Sequence, residues 1–383
     1  MTGVQTCALP ILMIKLTKTL PVLALGIALS SSVAHADVTV ALAGPMTGGL
    51  AAFGEQFKAG FNMAVDEINA AGGVNGQKIA TVVGDDQCDP KQAVAVANDN
   101  VSKKVSVVIG HFCSGSSIPA SKVYAEEGTI MISPSSTNVK LTDERAGPSI
   151  FRVIGRDDVQ GKIAGAFIAA KYKGKNVAVL DDKSAYAAGL AAETAKALNA
   201  NGLKPVIVDS ITPGEKDYTA IVSKLKSLKV DVLYYSGYHP ESGLLVKQMA
   251  EQGMKAQFIS GDALGDNEFA QIAGAASDGA IFTNPPDHCL NPANKDICAK
   301  FSAKGTPVAT YTLYAYVAVK VWAEAAKKAG SFDSKKVVAA MNDISADTPV
   351  GKIKFDNKGD VLDPKYAWHV FKGGKYAQDD SIK

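Results

Sequence analysis

The chain has 383 residues, with 40 Lys and Arg against 38 Asp and Glu and a formal net charge of +2. That balance, with no basic run, argues against nucleic acid or an acidic membrane as a partner. The length beyond the leader described below is too great for one ordinary core and suits two domains.

The beginning of the chain reads as an export signal. From Met13 come Lys15 and Lys18, the apolar stretch Leu20 to Leu29, Ser30-Ser31-Ser32, then Ala34-His35-Ala36. A positive head, a short apolar core and an A-x-A site make a secretory signal peptide, with cleavage expected after Ala36. The core is well short of the roughly 20 apolar residues a spanning helix needs. Residues 1–12 lack the charge of a head region and are expected to be artefactual sequence upstream of Met13. Residues 1–36 are therefore set apart, and the exported protein is expected in the periplasm from Asp37 onward.

After Ala36 short β-branched runs alternate with helical patterns. Val38–Ala43 reads as a strand, and Phe53–Ala70 as a helix with Phe53, Phe57, Phe61, Val65 and Ile68 on one face. Strand Ile79–Gly84, helix Pro90–Val101, strand Val105–Gly110, a helix from Ser116 to Glu127 and strand Thr129–Ile132 follow. The pattern restarts after Pro148 with strand Ile150–Val153, helix Val159–Lys171, strand Val177–Asp181 and helix Ala187–Ala200. Strand Pro205–Ser210, helix Tyr218–Leu228, strand Val232–Tyr235, helix Ser242–Gln252 and strand Gln257–Ser260 continue it. Helices near Tyr311–Ala329 and Lys335–Met341 precede a terminal β stretch at Lys352–Phe355 and Ala367–Phe371.

Such alternation builds parallel sheets covered on both faces. Two series imply an α/β protein of two doubly wound parallel-sheet domains joined by a three-segment hinge. The segment after Gly279 is too short and too helical for a third domain and is expected to return to the first. Crossings are expected near Gly147–Gly155, Asn284–Asp287 and Asp363–Tyr366, which contain the Gly and Pro that suit hinges and plain turns alike. The expected lobes are 37–154 with 286–364, and 155–285 with 365–383. The cleft between them, beyond the carboxyl ends of the strands, is the natural ligand site.

Four cysteines follow the leader: Cys88, Cys113, Cys289 and Cys298. An even count in an exported chain reads as disulfides. Three pairings exist. Proximity favours Cys289 with Cys298, while Cys88 and Cys113 follow strands of consecutive βα units, within plausible bridging range. A zinc site is the weaker rival, because neither pair has C-x-x-C spacing.

Polar and aromatic residues gather where strands end. In Gly110-His111-Phe112-Cys113-Ser114-Gly115-Ser116-Ser117 a strand gives way to small hydroxyl residues and a helix. Exposed N–H groups at a helix N-terminus bind anions, and Ser hydroxyls add donors. The alternative is plain N-capping by Ser114 or Ser116. Ser133-Pro134-Ser135-Ser136-Thr137 repeats the arrangement one strand later, and two donor-rich loops side by side suit a carboxylate. Asp262, just past a strand, is a candidate partner for an ammonium, or else a turn Asp bonded to its own backbone. Tyr186 and Tyr238 can place rings or hydroxyls over a ligand, or pack in the core. Phe53 and Phe112 can wall an apolar pocket or be core. No G-x-S-x-G, H-E-x-x-H, P-loop or dinucleotide fingerprint is present, so an enzyme, a cofactor and a bound metal are not expected. His111 beside Ser114 lacks an evident orienting acid for a nucleophilic pair.

These segments resemble the leucine/isoleucine/valine-binding proteins of bacterial ABC importers, which have the type I periplasmic binding protein fold. The resemblance runs through AGPMTGGLAAFGEQFKAGFNMAVDEINAAGGVNG, DDQCDPKQAVAVAN, VIGHFCSGSSIPAS, ISPSSTNVKLT, GEKDYTAIVSKLK, YYSGYHPE and DTPVGKIKFDNKGD, nearly the whole chain after the leader. It implies a monomer that captures a branched-chain amino acid and hands it to the membrane subunits of a permease. It also implies a disulfide between Cys88 and Cys113. Carboxylate contacts fall on Ser114 and Thr137, with backbone contacts from Ser135 and Ser136. Ammonium contacts fall on Asp262 and the Ser135 carbonyl, aromatic contacts on Tyr186 and Tyr238, and the apolar wall on Phe53 and Phe112. Three departures bear on preference among Leu, Ile and Val. Asp262 stands where leucine-binding members can carry Glu, Ser135 and Ser136 stand where Ala occurs, and Phe53 stands where Tyr or Trp occurs. The same fold with another small solute (an amide, urea, an aromatic acid) or another aliphatic amino acid is the alternative.

Overall fold

Along β1 (Val38–Gly44) the side chains enter two different cores: Val40 and Leu42 on one face, Ala41 and Ala43 on the other. A strand buried on both faces belongs inside a parallel sheet covered by helices. In the computed structural model, which describes residues 37–306 and 308–382, β1 pairs in parallel with β2 (Ile79–Asp85) and β3 (Val107–Ile109). Strands β4 (Ile130–Ser133) and β5 (Ile150–Arg152) complete an all-parallel sheet of order β2-β1-β3-β4-β5. Helices α1 (Ala51–Ala70), α2 (Pro90–Ser102), α3 (Ser114–Glu126) and the single turn α4 (Lys140–Asp143) connect the strands. The expected leader and signal peptide lie outside the described residues. No helix among the described residues is long and apolar enough to cross a membrane.

After β5 the chain crosses to a second sheet. In order come α5 (Asp157–Lys171), β6 (Val177–Asp181), α6 (Ala185–Ala200), β7 (Ile207–Ser210) and α7 (Thr219–Ser227). Then come β8 (Val232–Ser236), α8 (His239–Glu251), β9 (Gln257–Ser260), α9 (Glu268–Ala273) and β10 (Ile281–Asn284). Next, α10 (Lys295–Ala303), α11 (Thr312–Ala329), α12 (Ser334–Asn342) and the hairpin β11 (Ala346–Thr348) and β12 (Gly351–Ile353) follow. Helix α11 packs on α1 and β3 of the first half. The last strands, β13 (Ala367–Lys372) and β14 (Lys375–Gln378), add antiparallel to the edge of the second sheet at β10. Its order is β14-β13-β10-β9-β8-β6-β7.

The structure departs from the sequence expectations in three places. Directly after Gly279 the chain forms a strand, β10, that is not among the expected elements. The second sheet is mixed rather than purely parallel, because β13 and β14 run antiparallel. The expected strand at Lys352–Phe355 forms as β12, Gly351–Ile353, but it pairs only with β11 in a small separate hairpin and joins neither large sheet. Both disulfides form: Cys88–Cys113 with Cα atoms 5.5 Å apart, and Cys289–Cys298 with Cα atoms 6.0 Å apart.

In each sheet the strand order reverses once, between β1 and β3 and between β6 and β8. There the connecting helices leave on opposite faces, so the loops at the carboxyl ends part and leave a crevice. Those ends carry Phe53 after β1, Phe112 and Ser114 after β3, Tyr186 after β6 and Tyr238 after β8.

Candidate functional site

The loop after β3 begins at Gly110, which has φ 145°. A Cβ there would lie 2.2 Å from the Ala43 carbonyl oxygen, so only glycine fits. The chain then turns at once into α3. Cys113 is the N-cap residue, and no side chain caps the first turn. Neither Ser114 nor Ser116 makes the cap, which leaves the leading N–H groups without a side-chain partner. Ser114 Oγ instead accepts from Asn138 N at 3.3 Å, joining this loop to the one after β4.

The second loop is fastened to the first from within. Ser135 and Ser136 donate to the Phe112 carbonyl at 2.8 and 2.9 Å, and Ser136 shares a 2.6 Å hydrogen bond with Ser117. Their hydroxyls therefore brace the two loops against each other. Thr137 Oγ1 is buried with no partner. From beneath, Arg152 donates to the carbonyls of Ser136 and Asn138 at 2.8 and 2.9 Å and to Asp360 at 2.6 Å.

Asp262 faces these loops from the second half, just past β9, and is 1% exposed. Its two oxygens accept from Tyr186 Oη at 2.9 Å and Tyr311 Oη at 2.8 Å. Burial raises the Asp262 carboxyl above its ordinary range, and the two phenols pull it part of the way back. Burial and this neighbouring acid push both phenols well up, so they stay donors. Tyr238 lies over Tyr186, ring centroids 5.3 Å apart. Phe53 stacks on Phe112 at 4.5 Å, and Tyr311 meets Phe112 edge-on at 4.9 Å.

Phe112, Ser114, Ser135, Tyr186, Tyr238 and Asp262 thus line one small cavity of about 10 Å³, with Ala263 and Tyr311. Phe53 backs Phe112, while Ser136 and Thr137 sit in the adjoining loop. A space of that size holds about one water, so this is a closed arrangement that must part to admit a ligand. A much larger cavity, about 520 Å³, lies along the crossings near Gly155, Pro286 and Pro364. Its lysines, Lys352, Lys354 and Lys365, are exposed, and it has no buried acid opposite hydroxyl loops. Size alone does not mark the site.

Two site residues escape sequence reasoning. Tyr311 stands at the start of α11 and reads there as the first residue of a helix, with no strand end to mark it. Gln56 reads as one more position of α1, yet it donates to Asp266 at 2.9 Å and accepts from Tyr311 N at 3.1 Å, linking the halves. His111 has the orienting acid that the sequence does not reveal: Asp86 Oδ2 is 2.5 Å from Nδ1, and Tyr124 Oη is 3.0 Å from Nε2. Both ring nitrogens are therefore occupied away from Ser114. Among the described residues no cluster of His, Cys, Asp or Glu has a metal-binding arrangement.

Known proteins share this plan. A relative from Brucella suis biovar 1, a Leu/Ile/Val-binding protein homolog 1, is 45% identical over 92% of this chain and 97% of its own. The leucine-, isoleucine-, valine-, threonine-, and alanine-binding protein of Pseudomonas aeruginosa is 44% identical over 89% of this chain and 92% of its own. Among solved structures, a leucine binding protein from Thermotoga maritima superposes with a TM-score of 0.84 at 26% identity, covering 89% of this chain and 97% of that one. The branched-chain amino acid transporter substrate binding protein of Streptococcus pneumoniae, in complex with isoleucine, gives 0.82 at 27% identity, covering 90% and 99%. The family described as periplasmic binding protein matches residues 37–374, and the chain belongs to that family.

Proposed function

We propose that this protein captures a branched-chain or other small aliphatic amino acid between its halves and delivers it to an ABC-type importer. The observation that carries this is Asp262, a buried acid gripped by Tyr186 and Tyr311 and facing two hydroxyl loops at a helix N-terminus. The α-carboxylate goes to the first turn of α3, Ser114 and Thr137, where N–H groups and the helix dipole favour negative charge. The ammonium goes to Asp262 and the Ser135 carbonyl, beneath the rings of Tyr186 and Tyr238. Phe112, backed by Phe53, walls the side chain. The names of the relatives from Brucella and Pseudomonas support an aliphatic ligand. The family consists of substrate-binding proteins of the periplasm, and that is this chain's place and role.

In this reading residues 37–154 and 286–364 form one lobe and 155–285 and 365–383 the other. The protein acts as a monomer, and the closed face is what the permease subunits recognise. Closure is a hinge motion about the three crossings. Titration calorimetry of the exported protein with Leu, Ile, Val, Ala, Thr and Phe, and with a neutral amide, tests it. Tight binding of an aliphatic amino acid is expected. Binding of the amide alone would leave the fold intact and remove the amino-acid assignment.

A further inference from the structure

Asp157, the first residue of α5, is 0% exposed. Neither of its carboxyl oxygens has a hydrogen-bond partner. An acid at the start of a helix usually serves the helix end, but here Asp158 takes that part: its Oδ1 accepts from Val159 N at 3.0 Å. Nor is Asp157 paired with Arg152, the basic group whose charge acts on it. The Arg152 guanidinium is taken by Asp360, the carbonyls of Ser136 and Asn138, and the Thr142 hydroxyl. Asp157 lies between the Thr137–Asn138 loop and α6. Its N–H donates to the Thr137 carbonyl at 2.9 Å, and a Cβ at Gly189 would be 3.2 Å from its Oδ2. Thr137 Oγ1, the one hydroxyl of its loop without a partner, is close enough to favour charge on Asp157 without a well-formed hydrogen bond to it.

We propose that Asp157 is a positioning residue for the ligand's carboxylate: its carboxyl O–H donates to Thr137 Oγ1, so the Thr137 proton is left to donate to the ligand. A hydroxyl has one donor and two acceptor sites. If Asp157 were ionised it would take the Thr137 proton for itself and turn a lone pair toward the incoming carboxylate. Only the neutral acid gives the hydroxyl the direction that an anionic ligand needs. The surroundings keep it neutral. Burial pushes the Asp157 carboxyl up to about 8, Thr137 offsets this in part, and Asp262 adds to it. Arg152 opposes the rise and Asp158 contributes to it. Tyr186, Tyr234, Tyr238 and Tyr366 also lie within its field, and all four stay neutral phenols because burial raises them.

The inference rests on the amino-acid assignment above, and the test separates the two. Valine affinity is measured by calorimetry from pH 6.5 to 9.5 on wild type, Asp157→Asn, Asp157→Ala and Thr137→Val. Asparagine keeps a donor for Thr137 but cannot ionise. Above about pH 8, wild-type affinity is expected to fall relative to Asp157→Asn by up to about tenfold per pH unit, the limit for one coupled proton. The ratio to Asp157→Asn cancels titration of valine's own amine. At pH 7 Asp157→Asn binds like wild type, Asp157→Ala binds at least about tenfold more weakly, and in the Thr137→Val background the Asp157 changes have no further effect. Parallel pH profiles for wild type and Asp157→Asn overturn the proposal, as does an Asp157→Ala variant that is folded by circular dichroism and binds like wild type. If wild type binds no amino acid at any pH, the amino-acid assignment fails and the proposal falls with it.

Discussion

Asp262 is a fully buried acid whose two oxygens are held by phenols. Its carboxyl is raised by burial, so this one group contributes most to the unliganded fold at low pH. That contribution is lost as pH rises from the unfolded value, about 4, through the raised folded value. Replacing it by Asn keeps an acceptor for one of the two phenols and removes the charge. Asp262→Asn is therefore expected to melt no lower than wild type at pH 7, while valine affinity falls by about a hundredfold or more, as for a buried charge that loses its partner. Thermal denaturation and calorimetry on the same samples check both halves. A variant that binds like wild type would remove Asp262 from the ammonium site. This acid is legible in the sequence because it follows a strand directly. Tyr311 and Asp157 are not: each opens a helix, where an aromatic or an acid is ordinary, and only the packing of distant segments turns them toward the cleft. Serine is legible as a residue type but not in direction. Ser135 and Ser136 look like pocket hydroxyls, and both turn inward to the Phe112 carbonyl.

The loop after β3 is an element held from three sides. Cys113, its N-cap residue, is bridged to Cys88 in the loop after β2. His111 is clamped by Asp86 and Tyr124 behind it, and the serines of the next loop close the front. Two crosslinks of different span permit a comparison. The Cys88–Cys113 separation is 25 residues and the Cys289–Cys298 separation is 9. Chain entropy gives roughly 3–4 kcal/mol for the longer loop and roughly 2–3 for the shorter. Only the longer one touches the site. Replacing both members of the first pair by Ser should lower stability in urea by that larger amount and weaken valine binding. Replacing the second pair should lower stability less and leave affinity unchanged. Equal affinity losses in the two variants would contradict the bracing role. Strands and helices of this half are legible because each is long enough to show its period. The strand β10 is not, since Ile281-Phe282-Thr283-Asn284 is four residues before Pro285-Pro286, and so short an apolar run fits helix or strand alike. Its place is set by pairing with β9 and β13.

At the scale of the whole molecule the two halves are legible as repeated strand–helix units, and the cleft follows from the strand-order reversals. The charged ties across long sequence separations do not show in local patterns. Glu67 on α1 accepts from Tyr316 at 2.6 Å and Lys320 at 3.1 Å, both on α11, and from Lys300 on α10 at 2.8 Å. Burial alone would raise its carboxyl, but these three donors outweigh it and hold it at about 2. At the crossings, Arg156 binds both Asp143 and Asp360. Its hydrogen bond to Asp143, aided by Lys358 and opposed by burial, holds that carboxyl at about 2 as well. Both acids are depressed in the folded state. The unfolded chain therefore takes up their protons first, between about pH 4.5 and 2, and stability falls as pH drops through that window. Part of each group is exposed, so solvent screening reduces the effect. Urea unfolding at pH 5, 4, 3 and 2 should show this decline, and a Glu67→Gln, Asp143→Asn double variant should show a shallower one at the same denaturant slope. Both residues lie outside the cleft, so valine affinity at pH 7 should not change in the double variant. An acid decline as steep as that of wild type would mean that other carboxylates, not these two ties, carry the pH dependence.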